Sequence, residues 1–318
     1  MKLRLVPENT NFAFMRLRVM AFILSGLLLL GSVGLYFGKG LNYGIDFEGG
    51  ILIEVGSSEP VDIAKMRSAT SGLDLGEIAL QEFGRETEVL IRIERQPGDS
   101  TTQQKAVDTV KQALAQHISG DLSYRRVEFV GPKVSAELVE AGTLAMLLAV
   151  AAMLIYIWFR FEWQFSIGAV MALVHDVVLT IGVFSILGLE FNLSIIAAIL
   201  TIIGYSMNDT VVIYDRVREN LRKFRAMDLA DLLDRSVNET LARTAMTSAT
   251  TLLALITLYL FGGEVIRGFT FAMMWGVVVG TYSSVFVAGP LLLYFGVRRG
   301  DDDDEEAGVE QESPEAAG

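Results

Sequence analysis

Residues 191–214 read FNLSIIAAILTIIGYSMNDTVVIY, an apolar run interrupted by one charge, Asp209. Crossing a hydrocarbon core takes about 20 helical residues at roughly 1.5 Å each, so this run is long enough to span a bilayer. Working outward, five more such runs occupy residues 19–37, 141–159, 165–189, 244–263 and 268–297. Four of the six hold no charged residue, and 165–189 holds only the neighbours His175 and Asp176. The chain is 52% hydrophobic with a mean hydropathy of +0.43, and no soluble core needs six runs of this length. It reads as a polytopic α-helical membrane protein with six transmembrane helices. An ionised carboxylate at a helix centre costs roughly 2.5 to 3.5 kcal/mol on insertion scales, which makes Asp209 the first functional candidate.

Basic residues stay on the cytoplasmic side of short loops. Lys2, Arg4, Arg16 and Arg18 precede the first run, Arg216, Arg218, Arg222, Lys223, Arg225, Arg235 and Arg243 follow the fourth, and Arg298 and Arg299 follow the sixth. The short alternate connections carry almost none, with no basic residue in 188–192 and one in 264–267, so both termini are expected in the cytoplasm and residues 38–134 outside. The first run exceeds a typical signal-peptide core and lacks an A-x-A site, which favours an uncleaved anchor. There is no cysteine, hence no disulfide or thiolate metal site. Of the net charge of -12, nine acidic groups fall in residues 301–315 and leave -3 elsewhere, so residues 300–318 read as a disordered acidic cytoplasmic tail.

Between residues 38 and 134 the pattern changes to short alternating segments, the mark of a water-soluble unit. Strands are expected at 51–55, 77–83, 89–94 and 124–130, helices at 61–71 and 101–118, and a hairpin turn at 84–87. This β-α-β-β-α-β order is the ferredoxin-like arrangement, an external α+β domain between the first and second membrane helices. Its 11 basic and 15 acidic residues are intermixed, which argues against nucleic-acid binding. There is no phosphate-cradling loop, H-E-x-x-H or nucleophile elbow, so no cofactor, metal or catalytic residue is expected. Gly49 and Gly50 read as a turn entering a strand, and His117 as a solvated surface group.

Inside the membrane, Arg243 on the fifth run falls at a depth similar to Asp209, and an acid solvated by a movable cation can gain and lose protons. Tyr205 shares the Asp209 face by i, i+4 spacing, with Ser206 and Thr201 near it, while Asn208 points about 100 degrees away. His175 and Asp176 are candidate relay or gating partners, since imidazole titrates near physiological pH. The spacings at Gly34 and Gly38 and at Gly276 and Gly280 permit close helix packing, and Pro290 should bend the last span. Asp215, Arg216, Arg218 and Glu219 read as the start of an interfacial helix.

On these residues the chain resembles the SecF family of protein-export membrane subunits. The resemblance rests on GIDFEGG (residues 44–50), GYSMNDTVV continuing to DRVREN (204–220), ARTAMTS (242–248) and His175-Asp176-Val177. Met207 and Tyr214 stand where the family motif admits other apolar or aromatic residues, which leaves Asp209 unaffected. The resemblance implies a half-transporter of the resistance-nodulation-division type in the bacterial inner membrane. It would pair with the larger subunit SecD, associate with the SecYEG channel and YajC, and act on a translocating preprotein with no ATPase activity of its own. It also implies a proton pathway through Asp209 and Arg243, and an outer junction formed by Gly44, Asp46, Phe47, Gly49 and Gly50. Competing readings are a proton-coupled small-molecule efflux half-transporter and a noncatalytic translocon scaffold; the single external domain of 97 residues argues against efflux.

Overall fold

The computed structural model of the chain describes residues 10–118 and 121–297. The expected acidic tail, with Lys2, Arg4, Arg298 and Arg299, lies outside the described residues. A short 3-10 turn leads into α1 (Arg18–Lys39), followed by β1 (Asn42–Tyr43), α2 (Ile45–Glu48) and β2 (Gly50–Ser57). Next come α3 (Ile63–Thr70), β3 (Ile78–Phe83), β4 (Arg85–Ile93), α4 (Ser100–His117) and β5 (Leu122–Val130). The rest of the chain is α5 (Pro132–Arg160), α6 (Trp163–Leu187), β6 (Glu190–Phe191), α7 (Leu193–Lys223), α8 (Leu229–Phe261), α9 (Arg267–Ser283) and α10 (Gly289–Phe295). Six helical stretches among the described residues are long and apolar enough to cross a membrane, the last being α9 and α10 together.

One antiparallel sheet has the strand order β3-β4-β2-β5, so the first strand of the unit is central. Side chains alternate across a strand, and Ile51, Ile53 and Val55 of β2 point to the face covered by α3 and α4. There they meet Met66, Val107, Val110 and Leu114. Leu52 points the other way, toward Ile45 and Leu90, so β2 is buried on both faces and is apolar at all but Glu54 and its last residue, Ser57. Asp62 and Asp99 start the two helices as side-chain caps for Lys65 and Thr102. The hairpin is tighter than the expected turn over 84–87: Phe83 pairs with Arg85 and Gly84 alone reverses the chain, at φ +81. His117 is exposed and, among the described residues, bonds only to the Ala113 carbonyl of its own helix, at 2.8 Å.

In the bundle, α7 packs against α6, α8 and α9. Lipid gives helices no hydrophobic drive to associate, so close packing of small residues must hold them. A Cβ on Gly276 would collide with the Ile202 side chain, and one on Gly280 would sit 3.0 Å from the Ser206 Cβ. The expected close approach at Gly276 and Gly280 is therefore present, between α9 and α7. Gly34 and Gly38 differ: nothing lies within 4 Å of either Cβ position, and α1 instead seats Ser32 on Gly182 of α6.

Two further expectations are corrected. Asp215 to Glu219 starts no separate helix, because α7 runs unbroken to Lys223. Residues 205–223 contain neither Gly nor Pro, and Val217, Asn220 and Leu221 remain buried, Asn220 bonding to Ser236 of α8 at 3.0 Å. Near Pro290 the helix widens rather than simply bending: residues 284–288 form a π turn. Proline has no N–H for the carbonyl four residues back, and an inserted residue absorbs the mismatch.

Candidate functional site

Asp209 is 6% exposed. Its Oδ1 accepts a hydrogen bond from Thr244 Oγ1 of α8 at 2.8 Å, while its Oδ2 is buried without a partner among the described residues. Arg243 precedes Thr244 and lies within electrostatic reach, yet its side chain is exposed and makes no ion pair with Asp209. The expected approach of the two helices at this depth is present, but the bonding group is a hydroxyl. Thr201, expected near the carboxylate, is exposed and bonds to its own Ala197 carbonyl at 2.8 Å.

One turn along, Tyr205 OH donates to Ser248 Oγ at 3.3 Å, and Ser248 meets Thr281 Oγ1 of α9 at 2.7 Å. Tyr205 and Asp209 are four residues apart, as are Thr244 and Ser248, so the contacts stack as two rungs between α7 and α8. Asn208, exposed, takes no part.

His175 and Asp176 form a second, fuller cluster at the middle of α6. Asp176 Oδ1 meets His175 Nδ1 at 3.0 Å, and Oδ2 accepts from Ser206 at 2.5 Å and Ser283 at 2.9 Å. His175 Nε2 is buried without a hydrogen-bond partner among the described residues. The imidazole stacks on Tyr282, whose hydroxyl reaches Ser25 and the Ala21 carbonyl of α1. Thr210 and Ser284 extend the cluster at 2.9 Å, where the π turn begins. Asp176 is thus satisfied on both oxygens by three groups, and Asp209 on one oxygen by one.

The 44–50 segment forms the joint between sheet and bundle. β1 pairs in parallel with β6, and Gly44 N donates to Phe191 O at 2.9 Å. A Cβ on Gly44 would stand 2.6 Å from Glu190 Oε1 and 3.1 Å from Asn192 Cβ, so the Glu190 carboxyl would have to move. Asp46 Oδ2 accepts from Leu193 N at 3.0 Å and caps α7. Phe47 lies 5.8 Å from the Tyr43 ring and 5.9 Å from that of Phe191, and its carbonyl accepts from Ser135 of α5 at 2.6 Å. Gly49 and Gly50 turn the chain into β2 at φ +73 and +116, as the turn reading expects. A cavity of about 420 Å³ opens beside this joint, with Asp46, Glu190, Arg126 and Arg267 in its wall. Burial pushes the Glu190 carboxyl above its ordinary range, and Asp46 adds to this; Asn192, Arg92 and Arg126 oppose it.

Reasoning from the sequence missed Thr210, Thr244, Ser248, Thr281, Ser283 and Ser284. Their only signal was hydroxyls recurring at helical spacing inside apolar runs. Among the described residues no group of three or more His, Cys, Asp or Glu could hold a metal.

Fold and site together define a polytopic helical membrane protein with ionisable groups buried between its spans. The family described as "Protein export membrane protein SecD/SecF, C-terminal" matches residues 109–298, and "SecD/SecF GG Motif" matches residues 37–61. The chain belongs to this SecD/SecF family, on its SecF side. It is 48% identical to the protein translocase subunit SecF of Rickettsia bellii (strain OSU 85-389), over 92% of this chain and 96% of that one. It is 47% identical to the same subunit of Cereibacter sphaeroides, over 94% of each chain. A crystal structure of SecDF from Thermus thermophilus, described as a translocon-associated membrane protein, superposes with a TM-score of 0.82 at 34% identity. That match covers 92% of this chain but 40% of the longer one. SecDF in a super-membrane-facing form gives a TM-score of 0.60 at 29% identity, over 98% of this chain and 41% of that one.

Proposed function

We propose that this chain is the SecF subunit of a bacterial protein-export machine, and that Asp209 carries the protons that drive it. The observation behind this is the contrast between the two buried carboxylates. Asp176 is held by three donors, whereas Asp209 has one donor and one open oxygen, with the Arg243 cation nearby. An acid that must alternate between charged and neutral forms needs a place for the incoming proton, and Asp209 Oδ2 offers one.

In this reading protons enter from the outside between this subunit and SecD and neutralise Asp209. The Thr244 contact and the field of Arg243 then change, and α7 and α8 repack. One elementary charge crossing 100 mV supplies about 2.3 kcal/mol, enough to bias conformers separated by a few kcal/mol. His175 and Asp176, with Tyr205 and Ser206, serve as relay or gate. Asn208 and Arg243 leave polar groups on the outer surface of the bundle, a surface SecD would cover.

Residues 38–134 form the external ferredoxin-like domain, held to the start of α7 by the Gly44, Asp46, Phe47, Gly49 and Gly50 joint. Both termini are cytoplasmic. Work is done on a preprotein leaving the SecYEG channel, with YajC in the same assembly, and the chain hydrolyses no ATP.

The test is Asp209→Asn in proteoliposomes containing the full chain with SecD and the SecYEG channel. Proton uptake and preprotein export should both be lost while the two subunits still copurify. Normal export with normal assembly would replace this reading with a noncatalytic scaffold.

A further inference from the structure

At the end of the bundle away from the sheet, a cleft of about 470 Å³ is lined by Arg160, Asp215, Arg218, Glu219, Arg222 and Lys223. None of these groups belongs to the site described above. α5 leaves the sheet at residue 132 and reaches Arg160 about 43 Å away at 1.5 Å per residue, so the cleft lies a full membrane thickness from the domain.

The cationic wall is built in advance. The Phe161 ring, itself buried, holds the Arg160 guanidinium 4.9 Å and the Arg218 guanidinium 5.7 Å from its centroid. Arg218 also donates to the Arg160 carbonyl at 3.2 Å, and Arg160 is fixed to Asp215 at 2.6 Å. One carboxylate is thereby used on Arg160, and the other, Glu219, is drawn to Arg216 at 2.9 Å. Arg222, one turn after Arg218 on the same face, and Lys223 beside it are exposed, and neither makes an ion pair among the described residues. Cations held before a ligand arrives lower the ordering cost of binding it.

The surroundings fix the level of the cleft. Tyr156, Trp158 and Phe159 at the end of α5 and Trp163 at the start of α6 are all exposed, Phe159 to 85%. Large aromatic side chains of this kind sit at the boundary between lipid tails and water. A basic cleft at that boundary faces phosphate groups of the bilayer. Phosphodiester oxygens suit a pair of planar guanidinium groups, and the neighbouring apolar surface of α5 suits the acyl chains.

We infer that this cleft binds the headgroup of an anionic phospholipid, with Arg218, Arg222 and Lys223 as its phosphate ligands. Such a lipid fastens the cytoplasmic end of α7 to α5.

The experiment measures lipid retained on the purified full chain by native mass spectrometry, after reconstitution in phosphatidylethanolamine vesicles containing phosphatidylglycerol. Arg222→Gln and Lys223→Gln alter exposed side chains, and each should lower phosphatidylglycerol enrichment about fivefold, the effect of about one unit of surface attraction per cation. Arg222→Lys should keep most of it. Equal enrichment in the doubly substituted chain overturns the inference. So does displacement of the retained phosphatidylglycerol by millimolar inorganic phosphate, which makes it a free-anion site. Enrichment that appears only after deleting residues 301–318 also overturns it, because the acidic tail is then the occupant.

Discussion

Asp46 of the sheet-side joint accepts the Leu193 backbone N–H at 3.0 Å and so caps the helix that carries Asp209 sixteen residues later. The bond ties the start of α7 to the segment that enters the sheet. Removing the side chain in Asp46→Ala should cost about 1 kcal/mol at that end, and Asp46→Asn, which can still accept, much less. Amide exchange at Leu193 reads this directly: about fivefold faster in the alanine variant, with little change in the asparagine one.

The same joint should respond to pH through Glu190. Its carboxyl is raised chiefly by burial, so the folded joint favours the protonated form. The stabilisation is complete below the ordinary glutamate value and is lost as pH rises through the higher folded value. After correction for intrinsic rates, exchange at residues 42–44 and 188–194 should quicken across that window. Glu190→Gln should flatten the response.

Thr244→Val removes the one hydrogen bond to Asp209 with almost no change of shape. Bonds to charged groups contribute about 1.5 to 3 kcal/mol, so steady-state proton transport should change about tenfold while SecD still copurifies. Transport equal to that of the parent chain would show that this bond takes no part.

Asp176 should behave differently from Asp209 in a stability assay. Asp176→Leu strips His175, Ser206 and Ser283 of their shared acceptor deep in the bundle, a loss of the order of 3 to 5 kcal/mol. Its thermal unfolding in detergent should move sharply downward. Asp209→Asn keeps an acceptor for Thr244 and should unfold near the parent temperature.

Glycines of similar sequence context should separate by their surroundings. Gly276→Val places methyls into Ile202 and should cost about 1 to 3 kcal/mol. Gly34→Ala meets nothing within 4 Å and should stay within about 0.5 kcal/mol of the parent in the same thermal assay. The two glycines read alike in the sequence because only the facing helix distinguishes them.

The site shows the same division. Asp209, His175 and Asp176 stood out because each is an ionisable group inside an apolar run, where the cost of burial demands a reason. Thr244 and Ser283 did not, since a hydroxyl in a membrane helix can bond to its own backbone, as Thr201 and Thr250 do. Arg243 was expected as the partner of Asp209, but a long side chain can reach the helix surface, and here it does.

The sequence alone determined how many helices are long and apolar enough to span, the β-α-β-β-α-β order of the sheet unit though not the short β1 and α2 before it, and which acids fall inside apolar runs. Those follow from run length, periodicity and the cost of charge, which are properties of one segment at a time. Only the tertiary structure decided that Thr244 holds Asp209, that Asp46 caps α7, that Asp215 to Glu219 continue α7 and that Gly34 is open. Each depends on which faces of separate helices meet, and in lipid that is set by close packing between segments, a quantity no single segment encodes.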